Sequence, residues 1–165
     1  MKTIIITLLL LSYYAGQGQE SLDNAYERFE KLLLHKIEYP ERLKDRCIPT
    51  VALLLIDFNQ SGEVDTIKVT DSAFDEISKQ LSNIKSIEIF DALFTYATQA
   101  GATTCRLAIP LHIDTEEMGS CASILMSNDF TRLTSLDGNS LTGSYFICPI
   151  VYMRRLTGFT YQSSN

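Results

Sequence analysis

Thr50-Val-Ala-Leu-Leu-Leu-Ile-Asp-Phe58-Asn-Gln-Ser-Gly62-Glu-Val-Asp-Thr-Ile-Lys-Val-Thr70 is the stretch that decides the architecture. Its first nine residues are almost continuously apolar, short, and closed by turn formers, which reads as a well-buried strand. After Asn59-Gln-Ser-Gly62 the pattern changes to alternation. Ile67 and Val69 fall on one face of Glu63–Thr70, and Thr66, Lys68 and Thr70 on the other. A buried run, a polar turn and an alternating run predict a β-hairpin. The same turn carries half of a calcium loop, with oxygen-bearing Asp57, Asn59 and Ser61 ahead of Gly62. The twelfth position of that loop needs a bidentate glutamate, and Lys68 stands there instead. Asn59, Ser61 and Gly62 are therefore read as turn formers, and no metal site is expected.

Helical patterns flank the hairpin. Upstream, Leu22, Ala25, Tyr26, Phe29, Leu32 and Leu33 share one face of a helix over 22–36, which Ser21 can cap and Glu27 with Lys31 can support as an i,i+4 pair. Tyr39-Pro40 breaks the chain, and Pro40 suits the start of a short helix reaching about Asp45. Downstream, Phe74, Ile77, Leu81 and Ile84 recur at three and four. A further helix runs from about Ile87 to Gln99, with Ser86 as cap and Gly101 as stop. Thr104–Ile113 returns to strand, and Asp114–Ser120 reads as an acidic, solvated loop. Asp129–Leu136 and Gly143–Arg154 read as a second hairpin, with Asp137-Gly138 near its turn. The tail from Gly158 is polar and expected to fray. The expected fold is α+β, with helices on one face of an antiparallel sheet and an extra C-terminal β-hairpin.

The N-terminus carries a different message. Met1-Lys2 precedes an apolar run from Thr3 to Leu11, and Gly16 and Gly18 occupy the −3 and −1 positions of a cleavage after Gly18, with cleavage after Gln19 the alternative. That is the form of a secretory signal peptide over 1–18. The run is shorter than the ~20 residues a membrane-spanning helix needs, and no later run approaches that length. The expected product is one domain, 19–165, in the periplasm or another extracytoplasmic space. Loss of Lys2 with the signal takes the formal charge from −6 to −7. An acidic chain without Trp and without interleaved basic and aromatic residues is a poor nucleic-acid binder.

Four cysteines, Cys47, Cys105, Cys121 and Cys148, are spaced too widely for a zinc ribbon or a redox C-x-x-C pair. Export permits disulfides. Cys105 and Cys148 each sit in a strand-like segment before an apolar-Pro-apolar pattern, so their bridge is the preferred pairing; four buried thiols is the alternative. Two histidines, His35 and His112, are too few for a three-His zinc site, and neither G-x-S-x-G nor H-E-x-x-H occurs. No cofactor and no catalytic residue is expected.

Tyr39-Pro40, Ile48-Pro-Thr-Val51 entering an apolar strand, the turn from Asp57 to Val64, the strand ending Val69-Thr-Asp-Ser72, the helix that follows and Arg106-Leu-Ala-Ile-Pro-Leu111 appear in the order of the TonB C-terminal domain family. The segment 39–113 resembles that family. The chain departs from its pattern at Leu43, where Ala is usual, and at Pro49-Thr50, where Gly often precedes the first strand. The resemblance implies a non-enzymatic envelope protein that binds an extended peptide, such as that of an outer-membrane receptor, by strand addition. The family's binding edge falls here on Arg106, Leu107, Ala108 and Ile109, whose unpaired N–H and C=O groups would take the partner strand. A second hairpin covering this edge would abolish that mode. A cleaved signal in place of a membrane anchor and Pro-rich spacer argues against a complete energy transducer. The rival reading is a disulfide-braced structural or assembly domain of the envelope, with self-association compatible with either.

Overall fold

In a computed structural model of the chain, residues 22–40, 49–117 and 127–157 are described. The fold is α+β. Helix α1 (Leu22–Leu34) is followed by strands β1 (Thr50–Phe58) and β2 (Val64–Val69), then α2 (Asp75–Ser82), α3 (Ile87–Gln99) and β3 (Arg106–Glu117). Helix α4 (Ser127–Leu133), the two-residue strands β4 (Ser135–Leu136), β5 (Asn139–Ser140) and β6 (Phe146–Ile147), and finally β7 (Val151–Thr157) complete the described elements.

The hairpin forms as its sequence demands. Leu54 pairs with Val69 and Ile56 with Ile67, and a register shift between Asp57 and Phe58 marks a bulge. Asn59 organises the turn: its Oδ1 accepts from Ser61 N at 2.9 Å and Glu63 N at 3.0 Å, and its Nδ2 donates to Glu63 Oε2 at 3.0 Å. Gly62 has φ +82°, and a Cβ there would lie 2.8 Å from the Phe94 ring. Of the candidate calcium residues, Asn59, Ser61 and Gly62 form the turn and Asp57 lies in β1, and among the described residues no group of three His, Cys, Asp or Glu could hold a metal.

Alternation divides the sheet into two faces. Ala52, Leu54 and Ile56 of β1 join Leu107, Ile109, Leu111 and Ile113 of β3 on the inner face, and all are buried. Against them pack Ile77 and Leu81 of α2 and Ile89, Leu93 and Ala97 of α3, with Ala25, Phe29 and Leu33 of α1 in the same core. At its C-terminus α3 closes with Ala102 N bonded to Ala97 O and Gly101 N to Thr98 O, Gly101 being left-handed at φ +76°. This is a Schellman cap. Ser86 occupies the N-cap position of α3 but makes no side-chain capping bond. On α1 the expected Glu27–Lys31 ion pair forms at 2.8 Å.

The C-terminal third differs from expectation. The sheet is mixed, in the order β2-β1-β3-β6 with β7 also on β3. β1 is antiparallel to β2 and β3, whereas β6 and β7 run parallel to β3. No second hairpin spans 129–154. Residues 127–133 are helical, and only Ser135–Leu136 and Asn139–Ser140 pair across the Asp137-Gly138 turn. That turn has φ 52° and 76°, as a type I′ turn requires. β3 also continues to Glu117, through the acidic residues expected to loop, because β7 pairs with it from Leu111 to Glu117. The expected signal peptide, Ser21 cap, helix over 40–45, Cys47, Cys121 and frayed tail fall outside the described residues.

Candidate functional site

Arg106–Ile109 is not a free edge. On one side Asp57, Ile56, Leu55 and Leu54 of β1 pair with these four residues in turn. On the other, Leu107 and Ala108 pair with Phe146 and Ile147, and Cys148 N donates to Ala108 O at 2.9 Å. Leu107, Ala108 and Ile109 are buried. The chain's own C-terminal segment occupies the place expected for a partner strand. Local pattern could not reveal this, since the strands that fill the edge lie about forty residues downstream and run parallel to it.

The preferred disulfide is absent as well. Cys105 is an exposed free thiol and Cys148 a buried one. The parallel register sets Cys148 level with Ile109, so Cys105 is displaced by four residues of strand, roughly 13 Å, beyond the ~7 Å between Cα atoms that a bridge tolerates. Burial pushes the Cys148 thiol up to about 12. Nearby, Tyr26 Oη donates to Pro149 O, and burial, with Cys148 next in effect, pushes the Tyr26 hydroxyl above its usual range. The Tyr26, Tyr96 and Phe146 rings meet in sequence between α1, α3 and β6, the first pair tilted and the second edge to face. His112 lies against Tyr152 with ring centroids 5.0 Å apart.

Two regions of the surface are open. The first borders β2, which has no strand on its outer side among the described residues. Thr70 N donates inward to Leu53 O, whereas Asp71 N donates outward to Ser135 O. Backbone polarity alternates along a strand, so Ile67 and Val69 direct their N–H and C=O groups outward. Beside this edge lies a largely apolar cleft of about 480 Å³, its apolar lining from Val64 and Ile67 of β2 with Ile84, Ile87 and Phe90, and its polar lining from Ser61, Glu63, Lys85 and Asp91. Ile87 is 74% exposed although large and apolar.

The second is a polar cavity of about 240 Å³ on the outer face of the sheet. Its floor contains Leu55, Asp57, Thr66, Lys68 and Arg106, and its far wall is the chain from Leu136 to Tyr145. Asp57 accepts from Arg106 Nε at 3.3 Å and from Thr66 Oγ1 at 3.2 Å. Arg106 Nη2 donates to Tyr145 Oη, and the guanidinium carbon lies 4.3 Å from the Tyr145 ring centroid. Gly143, at φ +104°, makes room for this group, since a Cβ there would sit 2.2 Å from Arg106 Nη1. The wall is held in place by Asp71, whose two carboxylate oxygens accept from Asp137 N and Gly138 N, each at 2.9 Å. Sequence reasoning singled out Arg106 for its backbone and missed its side chain. It missed Lys68 and Tyr145 as well, and the only available signal was the alternation that places Asp57, Thr66 and Lys68 on one side of the hairpin.

No protein-family model, no curated protein and no solved structure matches this chain.

Proposed function

We propose that the chain is an exported, non-enzymatic domain that binds an extended segment of another envelope protein by strand addition, as a TonB C-terminal domain does, and that the added strand lies along β2. One observation carries this reading: β2 is an outer strand, regular from Thr66 to Val69 beyond the bulge at its start, and bordered by a largely apolar cleft. A strand added there would satisfy the outward N–H and C=O groups of Ile67 and Val69. Its alternate side chains would enter the cleft between Ile67, Ile84 and Phe90, which supplies the selectivity that backbone pairing lacks. The edge predicted from the family is already filled from within the chain, so the binding role passes to the opposite side of the sheet.

The test is a titration of isotope-labelled protein with an extended peptide alternating valine and threonine, beside the same peptide N-methylated at alternate residues. Saturable amide shifts over 64–69 and 84–90, lost on N-methylation, are expected. Shifts confined to 106–109, or none, would overturn the assignment. Export is tested separately by N-terminal sequencing of protein recovered from the envelope fraction, which should begin at Gln19 or Glu20; a sequence beginning at Met1 counts against it.

A further inference from the structure

We propose that the polar cavity on the outer face of the sheet is a binding site for a small organic monoanion, a carboxylate with a short apolar body. Thr66, Asp57 and Arg106 stand in one row across β2, β1 and β3, because Asp57 pairs with both neighbours. The Asp57 carboxylate is already engaged by the other two. Of the five N–H groups of Arg106, one is given to Asp57 and one to Tyr145, which leaves three. Lys68 lies one row along, opposite Leu55, exposed and with no side-chain hydrogen bond or ion pair among the described residues.

Charge selects the ligand class. The side chains lining the cavity carry two cations against one carboxylate, Asp71 and Asp137 standing outside the lining, which leaves one net positive charge in a chain whose formal charge is −6. A monoanion neutralises that charge, whereas a dianion would add repulsion from Asp57 next to Arg106. Size restricts the ligand further. A cavity of about 240 Å³ lies below the roughly 300–1,000 Å³ that drug-sized ligands occupy. Leu55, Leu136 and Leu141 line part of it, while Ser140 and Thr142 add hydroxyl groups on the wall. The guanidinium is set in advance, stacked on Tyr145 and fitted beside Gly143, so little ordering of that group is required on binding. A planar carboxylate matches the geometry of such a fixed guanidinium.

The site is tested with 4-methylpentanoate, its neutral isostere 4-methylpentanamide, and inorganic phosphate, each titrated into isotope-labelled protein at neutral pH. The carboxylate should give saturable shifts over 66–68, at 106 and over 139–145, with the amide at least about tenfold weaker, a difference of ~1.4 kcal/mol. Lys68→Gln, a surface substitution, should weaken the carboxylate by about tenfold with the remaining amide spectrum unchanged. Equal binding of amide and carboxylate would overturn the charge assignment. Tighter binding of phosphate would overturn the monoanion assignment, and no saturable shift would remove the site. Amides 66–68 belong to both windows, so the readings are told apart elsewhere: 84–90 move only with a strand on β2, and 106 and 139–145 only with the carboxylate.

Discussion

On the inner face of the sheet, Leu54, Ile56, Leu107 and Ile109 are sealed beneath α2 and α3 with no polar side chain among them. On the outer face the alternate residues of the same strands, Asp57, Thr66, Lys68 and Arg106, meet a wall made by the C-terminal third of the chain. The inner face is held by apolar area and the outer by a handful of hydrogen bonds. Apolar burial is non-directional and cumulative, so the inner face is closed over β1 and β3 and opens only at its margin, beside Ile67 of β2. Directed polar contacts can leave a space between them, and the outer face does.

The contrast breaks most visibly by opening the inner face. Ile56→Ala should cost about 2–5 kcal/mol in denaturant unfolding, because the site is walled by sheet and helices and cannot collapse. Leu55→Ala, next to it in sequence but bordering the cavity, should cost distinctly less. Equal losses would mean that the two faces are equally packed.

Asp71→Ala addresses the outer face alone. Removing both acceptors of the Asp137 and Gly138 amides should cost about 1–2 kcal/mol. Hydrogen exchange at those two amides should accelerate, while amides of α3 keep their protection.

A further test lies at high pH, where Cys148 reports on the inner core. Its thiol ionises near 12 in the folded chain, against 9.0 when free of burial. The folded state therefore holds the proton more tightly, so this contribution is complete below pH 9 and is lost as pH rises toward 12. Thermal midpoints should fall more steeply across that window in the parent than in Cys148→Ala. A maleimide at neutral pH should label exposed Cys105 in the native protein and reach Cys148 only after unfolding.

The parts legible in the sequence were those whose physics is local. The hairpin was written in the alternation of Ile67 and Val69 and in Asn59 and Gly62, and α3 in its apolar spacing with Gly101 behind it. α4 was not legible: none of its residues is buried, so it lacks the apolar stripe that marks a helix. Asp137-Gly138 announced a turn correctly, but the strands beside it extend for only two residues each. The extension of β3 through Asp114, Glu116 and Glu117 was hidden, because what keeps acidic residues in a strand there is a partner forty residues away. The outer cavity was illegible for the same reason, since half of its lining comes from that later segment.

The parallel strands also bear on when the protein becomes safe from itself. Leu107 meets Phe146 and Leu111 meets Val151, so β3 is complete well before its outer partners have been made. At roughly 5–20 residues per second of synthesis, several seconds separate the two. Throughout that interval β3 presents a row of unpaired backbone groups beside buried-type side chains, a template for pairing with another copy. Once β6 and β7 dock, the new border is interrupted by Pro149, which has no N–H to offer. The last strands made thus cover a margin already interrupted at Pro110 and leave a new one interrupted at Pro149.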